Sequence, residues 1–465
     1  MSDKFAARAF KLVVVATALF CAFGLWRVIA TIGLRLPLDP NEGWNAYHTA
    51  AALSGAPLYP APQSMMINNY PPLSFYLIGA LGRVLGDHIF TGRIVSLFSF
   101  FFVSFGIFAA TLRLGCKRIE ACFAALLFAG GMLVFTDYVG MDDPQMLAHA
   151  IAMAGFLLLL CKPRATARIA AAALLFVLAV FVKHNVIAMA LAVTLWLAVY
   201  DRKSALRLAG FGMAFLLVGL VLFRLIYGTG LFAELVSARI YSLDNLHKGF
   251  DIWLRWSLVP LVGLTVLVSL HWHDRSVRLV SFYTAFGAIL GLFFLGGVGV
   301  DANAMFDADI ALALGAGLLI GRVARGAFAP VAAAAYALPL VFAACTNAEW
   351  RDADGWLHPM RQEQAAQGDI AFLAARQGPA LCEMLSFCYW AGKPAAVDVF
   401  NLGQQFDTGA RNDAPLVAMI EARHFSVIQF DPDSTHSLGK NAGKAIARAY
   451  RLDHEDDYGS FYVPR

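Results

Sequence analysis

The chain has 465 residues, of which 59% are hydrophobic and 15% charged, and its formal net charge is +4. These proportions differ widely from those of an ordinary soluble domain and indicate a membrane protein. The net charge is small and the sequence contains no run of Lys and Arg, which excludes nucleic acid as a partner.

Eleven apolar segments are candidates for transmembrane helices, because a bilayer core needs about 20 apolar residues per helix. The first runs from about Lys11 to Leu34, which is too long for a signal-peptide core, so we expect it to be retained. The segments centre near Ala18, Ser99, Leu127, Ala154, Leu174, Ala192, Leu217, Val266, Gly287, Gly315 and Ala335. This pattern predicts a polytopic α-helical membrane protein with about 11 transmembrane helices.

Basic residues occur in every second connection between these segments. Examples are Arg8, Arg113, Arg164, Arg202, Arg275 and Arg322. Short basic loops are cytoplasmic according to the positive-inside rule. An odd number of spans with a cytoplasmic N-terminus therefore predicts that the C-terminal part lies outside. We expect a multi-pass protein of the bacterial inner membrane with a periplasmic C-terminal domain.

The first predicted outer loop covers residues 35–88 and is rich in aromatic and apolar residues. The segments 42–55 and 71–86 both have apolar residues at helical spacing, and the second begins with paired prolines. These patterns predict two amphipathic helices along the outer membrane surface. The alternative is a loop that serves only as a structural cap over the helix bundle.

Acidic residues lie in the other outer connections. Asp142 and Asp143 are adjacent at a membrane boundary, where two carboxylates need a cation or hydrogen-bond donors, and they predict a site for a divalent metal ion of unknown identity. Solvated loop acids are the alternative interpretation. Asp307 and Asp309 enter the tenth span, where favourable interaction with the helix N-terminus is an equally simple explanation.

Lys183 lies in an otherwise apolar stretch at the outer end of the fifth span. An ammonium group there could bind a phosphate as a point charge, or it could extend to the membrane interface. Arg93 and Arg239 are among several outward basic residues that break the positive-inside pattern. The outer face therefore combines the basic and the acidic groups that are needed to bind a lipid phosphate.

Six motifs follow one another along the chain, namely 42–47 (EGWNAY), 70–77 (YPPLSFYL), Arg93, Asp142 to Pro144, Lys183, and Asn303 to Gly317. In order and spacing, they resemble those of the GT-C membrane glycosyltransferases. The likeness covers roughly residues 10–325 and is strongest to the branch of lipid A aminoarabinose transferases and protein O-mannosyltransferases. It implies a GT-C fold for residues 1–345.

The resemblance also implies an activity, namely transfer of a sugar from a polyprenyl-phosphate donor in the outer leaflet to an acceptor, with inversion. The acceptor could be a lipid, a polysaccharide or a protein. A first-loop acid acts as the catalytic base in this group, which mostly has Asp-Glu where this chain has Asn41-Glu42. Glu42 or Asp39 is therefore the expected base.

The remaining site residues follow from the same resemblance. Asp142 and Asp143 are expected to form the catalytic acid cluster. Lys183 and outer arginines, including Arg93, are expected to contact the phosphate. The expected remaining substrate contacts are Trp44, Tyr47, Tyr70, Asn303 and Asp307. The three aromatic residues could stack on sugar or isoprenoid, and interfacial anchoring explains them as well.

Residues 346–465 are more polar and are predicted to form a small extracytoplasmic α/β domain. Helices are expected at 368–378 and 414–424, and strands at 380–385, 395–400, 425–431 and, as a pair, within 449–465. Cys382 and Cys388 could form a disulfide bond in an oxidising compartment. No glycine-rich phosphate loop or nucleophile elbow occurs here, which favours an accessory role such as acceptor docking.

Two other functions fit parts of the sequence. Transporters and flippases also handle lipid-linked sugars, but transporters tend to show internal repeats and ionisable residues near the middle of the membrane. A non-catalytic membrane scaffold with an external binding domain is the third hypothesis, and Asn41 would then mark a lost active site.

Overall fold

The computed structural model describes residues 3–61, 63–161, 164–235, 239–432 and 438–465. Its first three quarters consist of helices. In chain order these are α1 (Asp3–Thr31), α2 (Pro40–Ser54), α3 (Leu73–Leu85), α4 (His88–Arg113), α5 (Arg118–Phe135), α6 (Gln145–Leu160), α7 (Thr166–Val182), α8 (Ala188–Tyr200), α9 (Arg202–Tyr227), α10 (Gly230–Leu235), α11 (Leu243–His271), α12 (Arg275–Leu295), α13 (Phe306–Arg322) and α14 (Phe328–Thr346). A 3₁₀ turn at Ala302–Met305 leads into α13.

The prediction of a polytopic helical membrane protein is confirmed. Eight helices in the described chain are long and apolar enough to cross a membrane, namely α1, α4, α5, α9, α11, α12, α13 with its 3₁₀ turn, and α14. The other three predicted spans correspond to α6, α7 and α8, which have only 16, 17 and 13 residues. Two further helices, α2 and α3, occupy the predicted positions in the segment 35–88.

Helix α13 lies at the centre of the bundle, and all of its residues from Phe306 to Ile320 are buried. Glycine permits its close packing on α12, since a side chain at Gly287 would overlap the backbone of Ala308. Helix α9 lies at the periphery, where its most apolar stretch has no buried residue. An apolar helix that is exposed in this way is expected to face lipid.

The basic connections lie together at one end of the bundle, here called the basic end. The guanidinium of Arg322 donates to the carbonyl of Leu114 at 2.8 Å and pairs with Asp274 at 3.1 Å. Arg164 lies 3.7 Å from Asp201. The contacts of Arg322 join the α13–α14 connection to the α4–α5 and α11–α12 connections, and that of Arg164 joins the α6–α7 and α8–α9 connections, as expected if alternate loops share one side of the membrane.

The residues after α14 carry the sheet. Their elements are α15 (Ala348–Arg351), α16 (Ala353–Leu357), α17 (Pro359–Ala374), β1 (Ala380–Cys382), α18 (Leu385–Trp390), α19 (Val399–Asp407), α20 (Ala414–Glu421), β2 (Val427–Phe430), α21 (Gly439–Ala449), β3 (Tyr450–Asp456) and β4 (Gly459–Pro464). The sheet order is β1-β2-β4-β3, with β1 and β2 parallel and the other pairs antiparallel. Cys382 and Cys388 form a disulfide bond.

One predicted strand, at 395–400, is wrong, because helix α19 begins at Val399. The side chain of Asp398 accepts a hydrogen bond from the backbone nitrogen of Asn401 at 3.0 Å, which is the arrangement of a helix N-cap. This cap starts a helix where the alternating apolar residues had indicated an extended strand.

This C-terminal segment packs directly on α2. Gly43 touches the backbone of Ser386 so closely that any larger residue would overlap it. The indole nitrogen of Trp44 donates to Asp398 at 2.9 Å, and the hydroxyl of Tyr47 donates to the carbonyl of Lys393 at 2.7 Å. The segment is therefore held against the helix that carries the first predicted site motif.

Candidate active site

Glu42 of α2 and Arg93 of α4 form a bidentate ion pair. Arg93 Nε lies 2.7 Å from Glu42 Oε1 and Nη2 lies 2.6 Å from Oε2, and the two side chains are 0% and 1% exposed. Arg93 also donates to the backbone carbonyls of Leu34 and Leu36 at 2.8 and 2.6 Å. A buried ion pair whose members are fully hydrogen-bonded holds neighbouring segments in register.

The carboxylate of Glu42 has two further donors. The backbone nitrogen of Leu38 lies 3.2 Å from Oε2 and that of Asp142 lies 3.1 Å from Oε1. Together with Arg93, these contacts give four hydrogen bonds to two oxygens. Glu42 therefore ties the segment 35–88 to the connection between α5 and α6, and its oxygens are already occupied by donors.

Asp142 and Asp143 are brought together with Glu42, but their side chains have different environments. The carboxyl of Asp142 packs against Gly92, and within the described chain neither of its buried oxygens has a hydrogen-bond partner. Burial, together with the charges of Glu42 and Asp143, raises the pKa of Asp142 well above its usual range. This carboxyl is accordingly expected to be neutral.

Asp143 forms the second ion pair, with Lys183. Lys183 Nζ lies 3.0 Å from Asp143 Oδ2 and 3.3 Å from Oδ1, and both side chains are buried. The backbone nitrogen of Gln145 donates to Asp143 at 2.7 Å, at the point where α6 begins. The ammonium of Lys183 also lies 3.6 Å from the centre of the Tyr70 ring, which is a cation–π contact.

A cavity of about 290 Å³ opens beside this ion pair. Its lining includes the predicted residues Trp44, Tyr70, Lys183 and Asn303, together with Asn41, Tyr138, His184, Asn185, Arg239, Phe400 and Asn401. Arg239 forms no ion pair within the described residues and is exposed. The wall therefore carries one buried and one accessible cation.

Asp39 lies at the N-terminus of α2, where it caps the helix through a 2.7 Å hydrogen bond from the nitrogen of Asn41 to Oδ1. Its other oxygen has no hydrogen-bond partner among the described residues. Burial raises the pKa of Asp39 to about 7, and the nearby carboxylates of Glu42 and Asp143 act in the same direction. A carboxyl that titrates near neutrality is suited to general base chemistry.

The predicted aromatic residues occupy different positions. Trp44 and Tyr70 line the cavity, with ring centres 4.8 Å apart, and the Trp44 nitrogen is bonded to Asp398 and to the carbonyl of Ile67. Tyr47 instead contacts the C-terminal segment, through its hydroxyl and through an edge-to-face contact with Tyr389. The structure thus brings Trp44 and Tyr70, but not Tyr47, to the cavity.

Asn303 and Asp307 are also separated. Asn303 lines the cavity and donates to the side chain of Gln145 at 3.4 Å. Asp307 lies inside the bundle, where it accepts a 2.7 Å hydrogen bond from the hydroxyl of Tyr283 and lies 3.9 Å from His149. It belongs to a buried polar network between α6, α12 and α13.

A second cavity, of about 530 Å³, adjoins the first. Trp253, Trp256 and other apolar residues of α5, α11 and α13 form much of its wall. The two cavities share a wall that consists of Ile240, Gly299, Val300 and Phe400. Asp301 lines the larger one, and its charge contributes to the raised pKa of Asp39.

A metal ion was expected at Asp142 and Asp143, but the structure pairs Asp143 with Lys183 and encloses the carboxyl of Asp142. Over the described ranges, three His, Cys, Asp or Glu ligand atoms lie within 4.8 Å of one another only at Asp369, His454 and Asp456, in the C-terminal segment.

Sequence reasoning missed two residues that reach the cavity from the C-terminal segment, Phe400 and Asn401. Phe400 ends the stretch that the alternating pattern had indicated as a strand and Asn401 follows it, and no local signal connects either residue to α2. Arg239 did carry a signal, because it is a basic residue on a predicted outer connection.

No protein-family model and no curated protein matches the sequence. Solved structures do match. ArnT from Cupriavidus metallidurans in the apo state is 13% identical, with a TM-score of 0.64 over 98% of this chain and 98% of that chain. The same protein bound to undecaprenyl phosphate is 13% identical, with a TM-score of 0.65 over 96% and 97%. Over nearly its whole length, therefore, the chain has the fold of ArnT. The outer-loop motifs had predicted a GT-C fold for residues 1–345.

Proposed function

We propose that the protein is an inverting glycosyltransferase that moves a sugar from a polyprenyl-phosphate donor to an acceptor. The observation that carries this proposal is the cavity that Lys183 and Arg239 line together with Asn41, which lies two residues after Asp39 at the start of α2. Such a site combines groups that recognise a phosphate with a base for the attacking acceptor. The complex of ArnT with undecaprenyl phosphate supports a lipid phosphate as the ligand.

Lys183 and Arg239 stabilise the departing phosphate in this proposal. The ion pair with Asp143 fixes the position of the ammonium, and the ring of Tyr70 packs against it. Positive groups that are held in place before the reaction stabilise developing negative charge without reorganisation. Arg239, which is accessible, can close on the second side of the phosphate.

Asp39 is the proposed base in preference to Glu42. Both oxygens of Glu42 are bonded to Arg93 and to backbone nitrogens, whereas one oxygen of Asp39 has no partner in the described chain. Asn41 occupies the position of the acid that most GT-C relatives have, and an amide cannot accept the acceptor's proton. Asp39, two residues earlier, is not one of the lining residues, but it is close enough to Lys183 for their charges to interact.

The site is proposed to face the extracytoplasmic side of the bacterial inner membrane. Arg322, Leu114 and Asp274 lie at the basic end, whereas α1, α5, α7 and α9 run toward the site from that end. The disulfide between Cys382 and Cys388 is typical of an oxidising compartment. Residues 1–345 would form the membrane domain and 346–465 a periplasmic domain that completes the cavity wall.

The larger, mainly apolar cavity is proposed to accommodate the acceptor, which would then include a lipid portion. Its walls contain two tryptophans, and it meets the smaller cavity along a shared partition. A polysaccharide or a protein acceptor would instead have to reach the smaller cavity from the side on which the C-terminal segment lies. Contacts between the cavity wall and the sugar of the bound donor would determine which sugar is transferred.

The test is a transfer assay with purified protein in liposomes, supplied with a radiolabelled pool of polyprenyl-phosphate sugars and candidate acceptors. Asp39→Asn should lower transfer by about 100-fold or more, since general base catalysis contributes at least that much. Asp251→Asn, which changes an exposed acid in a surface ion pair, is the matched control. Lipid movement without transfer would identify a flippase, and full activity of Asp39→Asn would rule out the proposed base.

A further inference from the structure

A group of three metal-ligand side chains lies in the C-terminal segment, away from the cavity. Asp369 belongs to α17, whereas His454 and Asp456 lie two residues apart on β3. One ligand atom from each lies within 4.8 Å of the others. We propose that this group binds one zinc ion, which connects α17 to the β3–β4 hairpin. The proposal is independent of the proposed transferase activity.

The strongest indication is the carboxyl of Asp369, which is only 5% exposed. Its Oδ1 lies 3.2 Å from His454 Nε2, but its buried Oδ2 has no hydrogen-bond partner within the described ranges. A carboxylate oxygen of Asp456 lies within 4.8 Å of an oxygen of the same group. Two carboxylates that face each other in this way repel unless a proton or a cation lies between them.

The imidazole of His454 is held in the orientation that a metal ligand needs. Its Nδ1 lies 3.2 Å from Asp453 Oδ2, so that Nε2 faces Asp369 at 3.2 Å and Asp456 at 4.0 Å. Metal-bound histidines commonly donate their other ring nitrogen to a carboxylate in this manner. The ring also stacks on Phe461, with centroids 4.5 Å apart, which fixes its plane.

The donor set selects the kind of metal. One imidazole nitrogen and two carboxylate oxygens suit Zn²⁺, whereas Mg²⁺ and Ca²⁺ prefer oxygen donors throughout. The side chains of His454 and Asp456 are 32% and 38% exposed. This exposure gives a metal ion an entry path and allows water to complete its coordination. The alternative is a hydrogen-bonded cluster in which a protonated His454 neutralises the acids.

The test uses the full chain, purified without a histidine tag, stripped with a chelator and dialysed against zinc. Bound metal is measured by elemental analysis, and Co²⁺ replaces zinc for its visible absorption, which reports coordination directly. We expect one zinc ion per chain. Asp456→Asn, which keeps the shape of an exposed side chain, should weaken binding by about tenfold or more, and His454→Gln should abolish it.

Asp457→Asn is the matched control, because Asp457 is the neighbouring exposed acid and lies outside the group. It should bind zinc as the unchanged protein does. Absence of zinc from the unchanged protein, or equal loss in Asp456→Asn and Asp457→Asn, would show that the group is only a hydrogen-bonded ion pair. Because Asp456→Asn should fold normally, the test does not depend on the stability of His454→Gln.

Discussion

The backbone nitrogen of Asp142 donates a 3.1 Å hydrogen bond to the side chain of Glu42, 100 residues away. This contact joins the two acidic motifs of the sequence, and it does so through a carboxylate that Arg93 already neutralises. Glu42 therefore stabilises the architecture on which the site is built. Its place in the motif had made it a candidate base, but its surroundings favour a structural role.

The first prediction concerns this ion pair. Glu42→Gln should destabilise the protein by about 3–5 kcal/mol, because it leaves the buried guanidinium of Arg93 without its counter-charge. The check is the thermal unfolding midpoint of purified protein in detergent. Asp251→Asn, which breaks an exposed pair with Arg255, should change it little. A Glu42→Gln protein with normal stability and no transfer would instead indicate that Glu42 is the base.

The second prediction concerns pH. Only the ionised form of Asp39 can accept a proton, and its pKa is raised to about 7. The rate of transfer should therefore rise with pH through neutrality and level off above it. The measurement is kcat/KM from about pH 5.5 to 8.5. A flat profile over this range would contradict the assignment.

The same shift has a consequence for stability. The folded state disfavours the ionised form of Asp39, so this residue costs stability as the pH rises from the ordinary carboxyl pKa of 3.8 toward the folded-state pKa of about 7. Asp39→Asn, which can still cap α2, should raise the unfolding midpoint more at pH 8 than at pH 5. An equal change at both pH values would show that the pKa is not raised.

The third prediction concerns the accessible cation of the cavity. Arg239→Gln should raise KM for the lipid-phosphate donor by about tenfold or more, since charge-assisted hydrogen bonds contribute about 1.5–3 kcal/mol. Stability should be unaffected, because Arg239 is exposed and forms no ion pair within the described chain. Arg255→Gln serves as the control. Unchanged KM in Arg239→Gln would remove this residue from the phosphate site.

The fourth prediction concerns the contact between α2 and the C-terminal segment. Gly43→Ala should lower both stability and transfer, because the new methyl group would overlap the backbone of Ser386. Gly33→Ala is a matched control, since nothing lies within 4 Å of a methyl group there. If both variants behaved alike, the packing of α18 on α2 would not be needed for the site.

The fifth prediction concerns sidedness and uses a Cys345→Ser background, because Cys345 is an exposed free cysteine. Asp457→Cys should react with a membrane-impermeant maleimide in intact cells. Lys117→Cys, at the basic end, should react only after lysis. The opposite pattern would place the C-terminal segment in the cytoplasm.

Much of the fold could be predicted from the sequence because a helix that crosses a bilayer needs about 20 predominantly apolar residues. Each predicted span centre lies in a helix, although α6, α7 and α8 are shorter than a full span. The wrong strand at 395–400 has a local cause, since the cap formed by Asp398 outweighs the alternating pattern. Residue propensities alone did not distinguish a strand from a helix in this stretch.

The site was partly predictable for a different reason. Lys183 and Asp143 stand out as charges in apolar surroundings, so they could be identified without coordinates. Phe400 and Asn401 are ordinary residues, and only the packing of the C-terminal segment on α2 brings them to the cavity. Likewise, nothing local distinguishes the enclosed carboxylate of Glu42 from that of Asp39, because the difference arises from the position of Arg93.

The ring of Phe400 forms part of the wall of both cavities and leaves no room for a side chain at Gly299, whose backbone is left-handed with φ of 75°. This side chain is thus part of the partition between two chambers, together with Ile240 and Val300. Because the ring borders both chambers, a change in its position would alter the shape of both. A small molecule that displaced the ring from one chamber would consequently change what the other can admit.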